Sequence, residues 1–187
     1  RQGGWEDLDA FYALLTQLAH RRMGKIYPKA YYENMWRVLN QQGYLRLFIL
    51  EYQGKPVTMH WVIPFGHTLV SKLAAWSGNE AELHPNELLE WAVIQWAKAQ
   101  GYHYYDFEGI HPAAAKALLA QQPLPSFLAQ SATSFKLSFG GHPILLPQAL
   151  DRVFNPVLQW LYQAVFQRTA EWPWTKKMIN HFRTHHG

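Results

Sequence analysis

The sequence predicts a mixed α+β fold, a strongly twisted mixed sheet built on an antiparallel meander and extended across a crossover helix. Three observations carry this. Residues 5–22 and 27–43 repeat apolar side chains at helical spacing. Residues 44–76 switch to three short runs rich in branched and aromatic residues, separated by turns at Gly54 and Gly66. Residues 86–101 then return to a helix, followed by one more strand-like run, "HYYDF". A strand–helix–strand step within one sheet is right-handed almost without exception, so the strand after the helix is expected to lie parallel to the last strand of the meander.

Taken in order, "WEDLDAFYALLTQLAHRR" (5–22) places Leu8, Phe11, Tyr12, Leu15, Leu18 and Ala19 at helical spacing. Acids fill its first turn and bases its last, as the helix dipole prefers. "YPKAYYENMWRVLNQQG" is a second amphipathic helix, with Tyr31, Met35, Val38 and Leu39 on one side and Gly43 as its stop. "YLRLFILEY" (44–52), "PVTMHWVIPF" (56–65) and "TLVSKLAAW" (68–76) are the meander strands. The loop "SGNEAELHP" leads into "NELLEWAVIQWAKAQG", with Pro85 at its mouth and Gly101 at its end. Apolar residues cover most of this helix and leave a polar stripe of Glu87, Glu90 and Lys98, so it is expected to be largely buried. Residues 111–130 read as a loop with one helical turn, "ATSFKLSFG" as a short helix and "HPILLP" as a closing strand. A long helix is expected over 150–169, then a basic, aromatic tail over 170–187. The domain reading is one domain over 1–169 plus that tail.

Composition sets the outer bounds. The chain has 187 residues, 49% of them hydrophobic, enough for one domain with a substantial core. Its apolar runs fall far short of the roughly 20 residues needed to span a bilayer. "RQGGWEDLDAF" at the start is polar and acidic, with neither a signal-peptide pattern nor an initial methionine, and reads as the start of a trimmed chain. Cysteine is absent, which removes disulfides, thiolate nucleophiles and cysteine metal sites and fits a reducing, cytoplasmic setting. The net charge of +4 suits an anionic partner without naming one. In the tail region, Trp160, Trp172 and Trp174 with Lys176, Lys177 and Arg183 read either as a weak contact with the inner membrane face or as a solvated basic face. His181, His185 and His186 have metal-ligand spacing but lack a carboxylate or cysteine partner, so no metal is expected.

"HPNELLEWAVIQWAKAQGYHYYDFEGI" followed by "SFKLSFGG" resembles the FemAB-like branch of the GNAT acyltransferase superfamily, over roughly residues 8–165. The likeness is to the C-terminal half of the two-half aminoacyltransferases that build peptidoglycan cross-bridges. It implies a GNAT-like acyltransferase fold and an N-acyltransferase activity. The implied donor is the 3′ end of an aminoacyl-tRNA, and the implied acceptor an amine of a cell-envelope precursor. A second, N-terminal GNAT half is implied as a partner. Two other readings stand beside it: an acetyl-CoA-dependent N-acyltransferase acting on a small amine or amino sugar, and a non-catalytic GNAT-like binding module. "WSGNEAELHPN", where acetyl-CoA enzymes carry a glycine-rich pyrophosphate loop, has a single Gly78 and two acids, Glu80 and Glu82. Carboxylates beside a pyrophosphate repel it, so no cofactor is expected and acyl-CoA is the second choice of donor.

The candidate residues follow from the same words. Lys136, through the resemblance, belongs to the acyl-transfer site, where an ammonium stabilises the oxyanion formed by amine attack. Its plain reading is a surface lysine snorkelling between Phe135 and Phe139. Asp106, at a strand end, is a proton acceptor for the amine or a cap on the turn before Gly109. Glu108 competes for the acceptor role, since strand alternation puts both acids on one face. Asn86 caps the crossover helix or touches the donor. Tyr104, Tyr105 and Phe135 line the substrate groove or pack in the core, and Gly109, Gly140 and Gly141 permit tight turns. Lys136 and the two acids are expected to converge on one cleft.

Overall fold

The computed structural model describes residues 1–22, 24–146, 155, 156 and 160. The chain divides into two compact units, Arg1–Pro143 and Ile144–Gly187. The expected helix over 150–169, apart from three residues, and the whole tail lie outside the described residues, as do His181, His185 and His186. Among the described residues, no helix is long and apolar enough to cross a membrane.

The first unit carries a five-stranded sheet: β1 (Gln2–Gly3), β2 (Arg46–Tyr52), β3 (Lys55–Phe65), β4 (Thr68–Trp76) and β5 (Tyr104–Asp106), paired in that spatial order. β1 to β4 are antiparallel neighbours, and β4 and β5 run parallel. Five helices complete it: α1 (Leu8–Arg22), α2 (Lys29–Asn40), α3 (Pro85–Ala99), α4 (Pro112–Leu119) and α5 (Ala132–Leu137). The meander, the crossover helix and the parallel strand thus fall where the sequence places them.

β3 shows how the sheet separates two cores. Its alternation sends Met59 and Trp61 to one face, where they meet Phe11 and Leu15 of α1 and Tyr32 and Trp36 of α2. Trp61 is fully buried and stacks on Phe11 with ring centroids 4.6 Å apart. The opposite face packs Phe48, Val62 and Leu69 against Leu89, Val93 and Ala97 of α3.

Several expectations are corrected. The buried face of α2 is Tyr32 and Trp36, one residue out of phase with the expected Tyr31 and Val38; Val38 is 66% exposed. Aromatic residues stand on both sides of this helix, so the period alone leaves its phase open. α3 is also rotated from the expected setting: Leu88 and Trp91 face solvent, whereas Glu90 is buried. α4 is a full two-turn helix where a single turn was expected. "PAAAKALL" is rich in the strongest helix former, and His111 caps it by accepting from the Ala113 N–H at 3.2 Å. His142–Leu146 form no strand.

At the start of the chain, Asp7 accepts from the Arg1 guanidinium (2.7 Å) and from the Gly4 N–H (2.9 Å). The hydrogen bond from Arg1 holds its carboxyl below the usual carboxylate range. For a depressed acid, the stabilisation is complete above the unfolded-state value, about 3.9, and is lost as pH falls through the folded value. Urea unfolding at pH 7 and pH 3 is therefore expected to show a larger acid-side loss in the wild type than in Asp7→Asn. Equal losses would mean that this pair contributes nothing.

Candidate active site

The site is created where β4 and β5 part. They pair only at Thr68–Tyr104, Leu69–Tyr105 and Val70–Asp106. Immediately beyond, β4 bulges: Val62 faces Ser71 and Trp61 faces Leu73, leaving Lys72 as the extra residue. β5 stops at Asp106, and the chain turns away through Glu108, which adopts a left-handed φ of 59°. A cleft of about 650 Å³ opens between the diverging segments, closed on its other sides by the start of α3 and by α5.

At the base of the cleft lies a polar network that the sequence reading missed. Glu90, 5% exposed on α3, accepts from the Tyr105 hydroxyl at 2.7 Å through Oε1 and sets Oε2 3.0 Å from His60 Nδ1. The two atoms are close, but His60 Nδ1 makes no aligned hydrogen bond. The other ring nitrogen, Nε2, is 2.9 Å from the Ser71 hydroxyl. Burial, with Glu90 adding to it, pushes the Tyr105 phenol far above its ordinary range, so Tyr105 stays a donor. Beside this network, Thr58 donates to Asn86 Oδ1 at 2.8 Å and fastens β3 to the first turn of α3.

The signal for this network was present. Thr58 and His60 alternate with Met59 and Trp61 in a run otherwise built for burial, so two polar side chains had to point at one inner face. Glu90 was misread because Glu87, Glu90 and Lys98 look like one polar stripe. In three dimensions Glu90 follows Leu89 on the inward side.

The expected residues are distributed unevenly. Lys136, Glu108, Asn86 and Phe135 line the cleft. Lys136 Nζ donates to the Gly109 carbonyl at 2.8 Å, and Glu108 Oε1 accepts from Lys72 Nζ at 2.7 Å. Asp106 stands apart: its Oδ1 accepts from the Glu108 N–H at 2.7 Å, closing the turn after β5. Strand alternation does not extend to Glu108 because the strand ends at Asp106, so the two acids do not share a face. Asn86 does not cap α3; the cap position is His84, which makes no side-chain cap bond. Tyr104 is 70% exposed and outside the cleft wall, while Tyr105 is turned inward onto Glu90. Gly140 adopts a left-handed φ of 80° just after α5, a turn that favours glycine. Gly141 has open space around it.

α5 presents Lys136 through local chemistry. Ser131 and Ser134 form a reciprocal capping box that starts the helix. The Thr133 hydroxyl accepts from the His111 N–H at 3.0 Å and ties α5 to the start of α4. Phe139 bridges Phe135 and Phe107, with centroids 5.3 Å from each, which fixes the end of α5 beside the segment that follows β5.

A mixed sheet that splays beside a crossover helix, with a polar cleft at the split, defines an acyltransferase of the GNAT type. Residues 2–116 match the family described as "Acetyltransferase (GNAT) domain", and the chain belongs to that family. Lys136 lies beyond the matched residues. Among solved structures the chain is similar to FemX, with a TM-score of 0.58 at 13% identity, over 74% of this chain and 48% of FemX. The chain therefore spans about half the length of FemX. It is also similar to an aminoglycoside acetyltransferase from an uncultured soil metagenomic sample, in complex with sisomicin (TM-score 0.52, 14% identity, 83% of this chain and 93% of that one). A third is the aminoglycoside N-acetyltransferase AAC(6')-Iy in complex with CoA (TM-score 0.53, 13% identity, 83% and 93%). At these identities the likeness is one of fold. No curated protein sequence matches the chain.

Proposed function

We propose that the chain is a FemAB-like N-acyltransferase that moves an aminoacyl group from its tRNA ester to an amine of a cell-envelope acceptor. The observation that carries this reading is the meeting of Lys136 and Glu108 in the cleft where β4 and β5 diverge. Amine attack on an ester needs an orienting groove, a proton acceptor and a counter-charge for the oxyanion. Lys136 uses one of its three donors on the Gly109 carbonyl, which leaves two for the developing oxyanion. Glu108, a carboxylate at the cleft wall, takes the amine proton once the amine displaces Lys72 from it.

The donor choice rests on the loop before α3. A CoA pyrophosphate needs free backbone N–H groups at the helix start. Here the first helical residue is Pro85, which has none, and Glu87 adds a carboxylate to the first turn. Arg21 is committed to the Trp76 and Ser77 carbonyls, and a Cβ on Gly78 would sit 2.6 Å from its guanidinium carbon. An aminoacyl ester makes no such demand. A second acyltransferase half belongs to this reading, given the share of FemX that the chain spans. The use of charged tRNA places the reaction in the cytoplasm.

Acetyl-CoA is accordingly expected to bind no tighter than millimolar, about −4 kcal/mol, by titration calorimetry. Micromolar binding would transfer the proposal to an acetyl-CoA-dependent enzyme acting on a small amine.

A further inference from the structure

The end of the sheet opposite the cleft presents rings and cations that the proposed reaction does not use. β2, β4 and β5 start there and β3 ends there, so residues 40–46, 62–68 and 95–105 meet at that end. Phe65 and Tyr104 are 79% and 70% exposed and belong to neither core. Beside them the exposed rings of His67 and His103 stack, with centroids 4.8 Å apart and planes 10° from parallel. The His67 carbonyl accepts from the His103 N–H at 2.8 Å and from the Tyr104 N–H at 3.2 Å. These bonds pin the two connections together and hold the rings in place before any ligand arrives. Two cations stand at the same end. Arg46, first in β2, lies over the Trp96 ring at 5.8 Å. Lys98, in the last turn of α3, is exposed, and its side chain makes no ion pair or hydrogen bond among the described residues. The three segments hold none of the chain's 13 acids.

We propose that this end of the sheet is a platform for single-stranded RNA. Nucleotides that precede the ester-bearing 3′ end of the donor stack on Phe65, Tyr104 and the His67–His103 pair, while Arg46 and Lys98 meet the phosphates. This rests on the aminoacyl-tRNA reading above and gives its donor a second point of attachment. Ring and charge together select RNA. Every base has a π-face, so exposed aromatic rings receive bases whatever their sequence. Cations without acids in the neighbouring segments suit a polyanion. An apolar protein face would instead bury Arg46 and Lys98 without a counter-charge. The spacing also fits. From Ser71, on the cleft wall, to His67 is four residues of chain, about 13 Å at roughly 3.3 Å per residue. A stacked strand rises roughly 3.4 Å per nucleotide, so about four nucleotides cover that span. The path is open, because among the described residues β5 is an edge strand.

The test follows the fluorescence anisotropy of labelled, deacylated tRNA as the full chain is added. The double substitution Phe65→Ala, Tyr104→Ala is expected to weaken binding about 30-fold or more, whereas Phe65→Trp, Tyr104→Trp keeps the wild-type affinity. Lys98→Gln is expected to lower the slope of log affinity against log salt by about 0.7. In transfer assays the double alanine variant should raise KM for aminoacyl-tRNA by the same factor with kcat unchanged. It should match the wild type with aminoacyl-adenosine, a donor too short to reach the platform. Thermal unfolding shows whether each variant is folded. If the double alanine variant is not, Lys98→Gln, at an exposed helix position, decides, and an unchanged salt slope overturns the proposal. Equal tRNA affinity in the wild type and the folded double alanine variant also overturns it, as does transfer from aminoacyl-adenosine by a protein with no measurable tRNA affinity. Both results leave the donor assignment standing. Binding of tRNA that is lost in the double alanine variant, by a protein that transfers from no aminoacyl ester, removes the donor assignment and leaves the platform. Self-association lost in that variant with tRNA affinity unchanged makes the patch a contact between copies of the chain and overturns the proposal.

Discussion

Lys136→Ala is expected to lower the rate of acyl transfer about 100-fold or more while leaving stability nearly unchanged. The magnitude follows from where charge appears. In the structure Lys136 donates to the Gly109 carbonyl at 2.8 Å, and in the proposed reaction it would face a neutral ester in the ground state. As the amine attacks, a full negative charge develops on the carbonyl oxygen, and an ammonium held at the cleft wall stabilises that state more than the ground state. The loss should therefore appear in kcat and kcat/KM together, with KM little changed. Stability is spared because the lysine is partly exposed and, among the described residues, its side chain bonds to one loop carbonyl. Steady-state kinetics on the purified variant are the check. Two comparisons sharpen it: Glu108→Gln should also lower the rate, and Asp106→Asn should do little, because that carboxylate is spent on its own turn. A Lys136→Ala variant with wild-type kcat would return the lysine to a surface role between Phe135 and Phe139.

Trp61→Ala is expected to cost about 3–5 kcal/mol of folding stability. Trp61 is fully buried at the centre of the larger core. It stacks on Phe11 at 4.6 Å, with Tyr32 at 6.0 Å and Trp36 at 6.2 Å around it. These partners come from α1 and α2, so removing the indole leaves a cavity that neither helix can fill without leaving the other. Aromatic contacts of this kind add to the burial term. Urea unfolding should show a lower midpoint with an unchanged slope. A loss below about 1 kcal/mol would mean that the helices collapse onto the gap and that the core is less tightly specified than its geometry indicates.

The order of elements was legible because each switch of period is long enough to read. The eighteen-residue periodic run over 5–22, three meander runs and a proline-started α3 leave little choice of topology once the right-handed crossover rule is applied. Phase was less legible. In α2 and α3, aromatic residues stand on both sides, and only the packed sheet shows that Trp36 and Glu90 turn inward while Val38 and Trp91 turn out. β1 is two residues long, below the length at which any alternation exists. The cleft was legible in part. Lys136 and Glu108 meet in it, yet Asp106 does not, because the strand ends at Asp106, two residues short of Glu108, and alternation does not link the acids. The His60 network was the main omission. Its members come from β3, β4, α3 and β5, and no local word joins residues brought together only by a bulge and a crossover.

Transfer of an aminoacyl group from its tRNA ester to an amine is the reaction proposed for the cleft between β4 and β5. It is tested most directly by mixing the protein with a peptidoglycan-precursor peptide bearing a free side-chain amine and, in separate tubes, labelled aminoacyl-tRNA or labelled acetyl-CoA. The expected result is an amide product from the tRNA tube only, formed in step with deacylated tRNA and suppressed in Lys136→Ala. Acetylated peptide from the CoA tube, with the tRNA ester left intact, would contradict it.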